Sequence, residues 1–301
     1  MNRLLLLCPG QGGQHPGMFD LARTSPVAAA LLDRIQPALP ASDNDMYANR
    51  IAQPLIVAAT LAMWEAIRDF APAPALLAGY SIGELSAYAV AGAFTPEAAL
   101  QLAAQRAGLM DDCLQTHPGQ ALLAITGLTL ARAAKLAANH GYHLGIETEE
   151  DACIAGGPAG TADALAQAIA ALGARSTRLP VAVASHTPYM QDAVAPFAQA
   201  LQAVQWQPIA TPVLAGISAA AVHEQAPAVD ALSRQLSEKI TWLGCMDAAA
   251  EAGITYALEL GPGAALARML QNRHPHINSR SVTDFRTLDG IRKWLDRAAG
   301  N

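Results

Sequence analysis

The sequence predicts an α/β protein: a mostly parallel sheet covered on both faces, with a smaller unit of different rhythm set inside the chain. Short apolar runs alternate with segments of helical spacing along most of its length. Residues 121–190 stand apart, reading strand-helix-strand-strand-helix-strand, the order of a ferredoxin-like unit. With 301 residues, 52% hydrophobic and 15% charged, the chain can bury one large core or a main domain with a smaller one attached.

Taken in order, Arg3 to Cys8 is a buried strand that turns at Pro9-Gly10-Gln11-Gly12-Gly13. This apolar start is too short for a signal peptide, and Pro9-Gly10 interrupts it. Residues 52–70 carry apolar positions at helical spacing and stop before Pro72 and Pro74. Ala75 to Gly79 is a short buried strand, followed by Tyr80-Ser81-Ile82-Gly83 and an alanine-rich helix from Glu84. A helix over 96–115 has Thr95 as N-cap and Pro96 at its first position.

The inserted unit runs through a strand at Ala121 to Gly127, a helix at 129–139 and strands at Tyr142 to Thr148 and Ala152 to Ala155. A helix at 161–172 and a strand at Thr177 to Val183 complete it. Helices at 188–203, 229–239, 246–252 and 263–271 follow, with strands at Pro212 to Gly216 and Tyr256 to Leu260. The domain division is therefore 1–120 with 191–301 as the large unit, and 121–190 as the insertion.

Several function classes are disfavoured. A net charge of −6 argues against nucleic acid as the main partner, because phosphate contacts need a basic surface. No stretch approaches the ~18 unbroken apolar residues of a membrane span. Cys8, Cys113, Cys153 and Cys245 are too dispersed for a metal-ligand pair or a disulfide framework, which points to a reducing, cytoplasmic setting.

Gly79-Tyr80-Ser81-Ile82-Gly83 fits G-x-S-x-G between a strand and a helix, the nucleophile turn of an α/β-hydrolase-like domain. A serine on so sharp a turn stands clear of the sheet, and its neighbours two residues away must be small. The Ile82 amide can then face an oxyanion, with the positive end of the following helix beside it. A capping serine in an ordinary turn would present the same five residues. A serine hydroxyl also needs a base. Among eight histidines, His186 follows the strand ending at Val183, but position alone does not single it out.

Five motifs then fall in order: Pro9-Gly10-Gln11-Gly12-Gly13-Gln14, Gly79 to Glu84, Gln105-Arg106 through Met110, Ser185-His186 and Glu259-Leu260-Gly261-Pro262-Gly263. Together they resemble the malonyl-CoA:acyl carrier protein transacylases over nearly the whole chain. The resemblance implies that Ser81 is acylated and that His186 is its base, oriented by a backbone carbonyl. It implies that the Gln11 and Ile82 amides form the oxyanion hole and that Arg106 holds the malonyl carboxylate. Malonyl-CoA is then a substrate, an acyl carrier protein the partner, and no metal or redox cofactor is implied.

The chain also departs from that pattern. Tyr80 stands where the family usually has histidine, and Glu147 to Asp151 form an acidic run where it often has Asn-x-Asn-Ser-Pro. That run would repel the phosphates of coenzyme A or tune carrier docking; a solvated hairpin tip is the plain alternative. Val183-Ala184-Ser185-His186 leaves malonyl and methylmalonyl preference open. The tail Ser281 to Gly290, with the acidic run, looks more like the epsilon subunit of malonate decarboxylase, whose other subunits would then be partners. A fatty-acid or polyketide loading enzyme, a thioester hydrolase and a non-catalytic docking subunit are the competing readings. Arg175, Arg178, Lys239 and Arg268 are available to meet an acidic carrier, with nothing to show that they cluster.

Overall fold

The computed structural model describes residues 2–39 and 45–300. Eleven strands are defined among them: β1 (Leu4–Cys8), β2 (Leu76–Gly79), β3 (Gln120–Thr126), β4 (His143–Glu149), β5 (Ala152–Pro158), β6 (Arg175–Arg178), β7 (Val213–Leu214), β8 (Ala221–Val222), β9 (Ile240–Thr241), β10 (Tyr256–Glu259) and β11 (Asn278–Ser281). The α-helices are α1 (Asp20–Arg23), α2 (Pro26–Ile35), α3 (Asn49–Ile67), α4 (Ile82–Val90), α5 (Pro96–Thr116), α6 (Leu130–Ala138), α7 (Ala162–Ala171), α8 (Gln191–Ala203), α9 (Gln225–Arg234), α10 (Trp242–Glu251), α11 (Ala265–Arg273) and α12 (Leu288–Ala299).

The larger sheet has the order β11-β10-β1-β2-β7-β8 and is parallel except for its β8 edge. β1 explains why this sheet reads as continuous leucine. Leu4, Leu6 and Cys8 enter the core shared with α3 to α5 and α8, while Leu5 and Leu7 enter the core under α10 and α11. A strand buried on both faces needs no polar alternation.

The second sheet has the order β6-β3-β5-β4-β9. Its first four strands pair antiparallel, and α6 and α7 contribute to the core beside them. The fifth, β9, comes from far along the chain and pairs parallel to β4 through Ile146 and Ile240. Those two isoleucines also belong to the core beneath α10, with Leu5 and Leu7 of β1, so the two sheets are joined by packing.

Several expected boundaries move. The strand expected over 177–183 is β6 at Arg175–Arg178; Leu179 adds one more hydrogen bond to Leu122, and Pro180 has no N–H to continue the ladder. The helix expected over 229–239 begins at Gln225, because Pro227 is tolerated in a first turn, and stops at Arg234. The helix expected over 246–252 starts at Trp242, where the Thr241 hydroxyl accepts from Gly244 N–H. α3 begins at Asn49 and runs through Pro54. The Thr95 cap and Pro96 at the first position of α5 are as expected. The four cysteines are buried and unpaired. Among the described residues no helix is long and apolar enough to cross a membrane.

Candidate active site

β2 delivers the chain to Ser81 at the mouth of α4. Ser81 has φ 57° and ψ −118°, a backbone conformation that side chains rarely adopt, and it stands where the N-cap of α4 belongs without capping it. The two glycines of the motif are compelled by contact. A Cβ on Gly79 would strike the backbone of Gly83 and Glu84, and one on Gly83 would strike the carbonyls of Cys8 and Pro9. The turn is therefore wedged against the end of β1, which brings Pro9 to Gly13 beside it. Tyr80 N–H donates to Cys8 O at 3.0 Å. Neither Gln11 N–H nor Ile82 N–H has an acceptor among the described residues, so two amides stand free on either side of this junction.

Ser81 Oγ lies 2.8 Å from His186 Nε2. His186 is 1% exposed, also has positive φ (62°), and is set in the irregular segment after β6. Its Nδ1 lies 2.6 Å from Gln235 O, in the turn that follows α9. A carbonyl can only accept, so Nδ1 carries the proton and the bare Nε2 accepts from the serine hydroxyl. Gly145 of β4 passes beneath, where a Cβ would come 2.9 Å from Ser185 O. Burial, and secondarily the Arg106 charge, push the His186 pKa down to about 3, against the opposing bond to Gln235 O. The imidazole is thus neutral at physiological pH and able to take a proton.

Arg106 reaches the same point from α5. It is 2% exposed, and its Nη2 lies 3.4 Å from Ser81 Oγ and 3.2 Å from Gln235 Oε1. Its Nη1 donates to Gln53 Oε1 at 2.8 Å. Gln53 Nε2 donates to Asn49 Oδ1 at 2.5 Å, which also accepts from Gln11 Nε2 at 3.3 Å. On the other side Gln235 Nε2 donates to Glu84 Oε2 at 2.5 Å. Arg106 is held by two neutral carboxamides and, among the described residues, touches no carboxylate. Such a guanidinium has charge to offer an anionic ligand. Burial lowers its pKa to about 10, partly offset by the Glu84 charge, so it stays protonated at neutral pH.

Ser81, His186, Arg106, Gln11 and Ile82 are therefore brought to one place. Gln53, Asn49, Gln235 and Glu84 were not singled out in the sequence, although Glu84 closes the Gly79 to Glu84 motif. No spacing rule marks the other three, because Asn49 and Gln53 on α3 and Gln235 at the end of α9 come from segments remote from one another and from Ser81. Tyr80 packs edge-on against Trp242 of α10, with ring centroids 5.3 Å apart, and lies behind the serine turn. Glu149, Glu150 and Asp151 form the exposed tip of the β4–β5 hairpin, with Glu150 3.6 Å from Arg273 of α11, while the half-buried Glu147 pairs with Lys239. Lys239 is thereby engaged, while Arg175 and Arg178 lie on the edge strand β6.

The chain matches the family described as "Acyl transferase domain" over residues 5–272. It is 29% identical to the malonyl CoA-acyl carrier protein transacylase of Mycobacterium bovis, covering 96% of this chain and 99% of that protein. The structure of a malonyl-CoA:acyl carrier protein transacylase from Xanthomonas oryzae superposes with a TM-score of 0.87 at 26% identity, over 99% of both chains. A malonyl-transacylase solved in complex with a type II PKS acyl-carrier protein superposes with a TM-score of 0.91 at 23% identity, over 97% of this chain and 99% of that one.

Proposed function

Because the chain belongs to the acyl transferase domain family, we propose that it is an S-malonyltransferase, moving malonyl from malonyl-CoA to the thiol of an acyl carrier protein through an ester on Ser81. The observation that carries this reading is the convergence of His186 Nε2 and Arg106 Nη2 on one hydroxyl, at 2.8 and 3.4 Å. The 29% identical transacylase supports it over the full chain.

In the first half-reaction Ser81 Oγ attacks the thioester carbon and His186 Nε2 takes its proton. The Gln11 and Ile82 amides receive the oxyanion, an interaction worth roughly 3–4 kcal/mol per donor in such sites. Collapse expels the coenzyme A thiolate, which takes the proton from His186. In the second half a carrier thiol gives its proton to His186 and attacks the ester carbon; collapse breaks the bond to Ser81 Oγ, which takes that proton back, and the carrier leaves as the malonyl thioester. Arg106 pairs with the malonyl carboxylate throughout; an acetyl group would leave that buried charge unmatched. This chemistry calls on no metal or redox cofactor.

The architecture accompanying this reading is an α/β-hydrolase-like large domain, 1–120 with 191–301, carrying a ferredoxin-like insertion at 121–190. The cell compartment in keeping with four free thiols is the cytoplasm. For the pathway, the acidic run and the tail Ser281 to Gly290 favour service to a malonate decarboxylase, with that enzyme's subunits as partners. The name carried by the 29% identical relative favours a second reading, general loading of an acyl carrier protein.

Intact-protein mass spectrometry after brief incubation with malonyl-CoA or acetyl-CoA tests the function. A malonyl adduct absent from Ser81→Ala and discharged onto a carrier thiol is expected. Steady release of coenzyme A with no adduct would point to a hydrolase, and neither event to a docking subunit. Discharge onto a phosphopantetheine carrier, compared with one bearing a coenzyme A-derived arm, separates the two pathways.

A further inference from the structure

We propose that Glu84 stands in for the acyl carboxylate: it is the negative charge that Arg106 faces while the site is empty, and it takes up a proton when a substrate carboxylate pairs with Arg106. The inference rests on the malonyl reading and adds to it a residue and a proton that the transfer chemistry does not require.

Glu84 lies in the first turn of α4, three residues after Ser81, and is 0% exposed. Its Oε2 accepts from Gly216 N–H at 2.9 Å and from Gln235 Nε2 at 2.5 Å. Its Oε1 has no partner among the described residues. Gln235 spans the gap to the cation, because its Oε1 accepts from Arg106 Nη2 at 3.2 Å. The direction of that carboxamide is forced: a carboxylate only accepts and a guanidinium only donates. A buried anion and a buried cation are thus joined through one neutral group, and together they carry no net charge.

A malonyl carboxylate would bring a second negative charge to this enclosed cluster. An unmatched buried charge is costly, and a group in that position neutralises instead. Glu84 is the group prepared to do so. One of its oxygens is already without a donor, so its ionised form is only half supported. Burial raises its pKa to about 7, while Gly216, Gln235 and the Arg106 charge hold it down. Engagement of Arg106 by another carboxylate weakens the last of these restraints. The other titratable groups facing Glu84 are Tyr88 on its own helix and Cys245 on α10. Burial and the Glu84 charge push both upward, so both remain neutral. His186, on the far side of Gln235, stays unprotonated at pH 7 for the reasons above.

The test is calorimetry on the Ser81→Ala protein, which can bind thioesters without being acylated, in buffers of different ionisation enthalpy at pH 7. Malonyl-CoA is expected to bind with uptake of a substantial fraction of a proton beyond that seen with acetyl-CoA, whose coenzyme A phosphates are the same. Glu84→Gln on that background should abolish the excess. Glutamine keeps an acceptor at the Oε2 position and puts its NH2 where Oε1 has no partner, so it removes little but the charge. In the catalytically intact protein, KM for malonyl-CoA should rise with pH through 7, by up to about tenfold per unit between the empty and occupied pKa values. In Glu84→Gln that rise should vanish. Equal proton uptake with malonyl-CoA and acetyl-CoA overturns the proposal, as does an excess that survives Glu84→Gln. Should that variant not fold, which fluorophosphonate labelling in the Ser81 background would reveal, the malonyl–acetyl comparison decides alone. A wild-type protein that accepts no malonyl overturns the functional reading as well, whereas malonylation without excess uptake overturns only the role of Glu84.

Discussion

Gln235 grips Arg106 with its side chain, Oε1 to Nη2 at 3.2 Å, while its main-chain oxygen orients His186 at 2.6 Å. One residue therefore supports the cation with a group that substitution removes and the base with a group that substitution leaves in place. Acyl selection and nucleophile activation become separable by changing a single side chain.

Gln235→Ala should lower kcat/KM for malonyl-CoA by about 10–100-fold, the scale of one hydrogen bond to a charged group. Acetyl-CoA should suffer far less, because the main-chain carbonyl remains on His186. Steady-state kinetics with both donors reads the difference. An equal loss on both would mean that the side chain supports the whole turn rather than Arg106.

Arg106→Ala removes the charge itself. Malonyl transfer should fall by about 10²-fold or more, consistent with loss of a buried charge-assisted pair, while acetyl transfer is kept or gained. Competition between the two thioesters for Ser81, followed by intact mass, measures this. Equal losses would remove the carboxylate-binding role.

The buried state of His186 has two consequences with pH. Its folded pKa, near 3, lies below the ~6.5 of an unfolded histidine. The unfolded chain therefore binds a proton that the folded one refuses, and stability is lost as pH falls from about 6.5 toward 3. His186→Gln should soften that acid loss in denaturant titrations. For acetylation of Ser81, which brings no carboxylate to the site, the His186 base predicts no inflection near pH 6.5. Such an inflection would show that the ring is protonated far more readily than its burial implies.

Gly79→Ala should destabilise the fold by about 2–4 kcal/mol, because its Cβ meets main chain and not a movable side chain. Gly12→Ala meets no atom within 4 Å and carries only the penalty of a positive φ (122°). Thermal unfolding of both variants compares them. A Gly12 variant as unstable as the Gly79 variant would contradict the steric account.

The parts legible in the sequence are those that local chemistry dictates. Leu4 to Cys8 had to be a strand buried on both faces, since no polar residue interrupts it. Thr95-Pro96 had to open a helix, and Gly79 to Gly83 had to be a tight turn. Only the resemblance distinguishes His186 among the eight histidines, and the strand expected to end beside it stops at Arg178. β9 was invisible because two residues carry no period, and it forms only by pairing with β4. The acidic run read equally as a repulsive surface or a solvated tip, because Lys239 and Arg273 are remote in sequence.

The alternation of strands and helices, the serine turn and the identities of the groups able to react are written in the order of residues along the chain. Which carbonyl faces His186, which amides carry Arg106 and which carboxylate lies behind them depend on the packed fold. Strand, cap and turn propensities act over a few neighbouring residues. Gln53, Arg106, His186 and Gln235 meet only after α3, α5, the segment beyond β6 and the end of α9 have packed together. Their hydrogen bonds belong to that packing, and no local pattern encodes them.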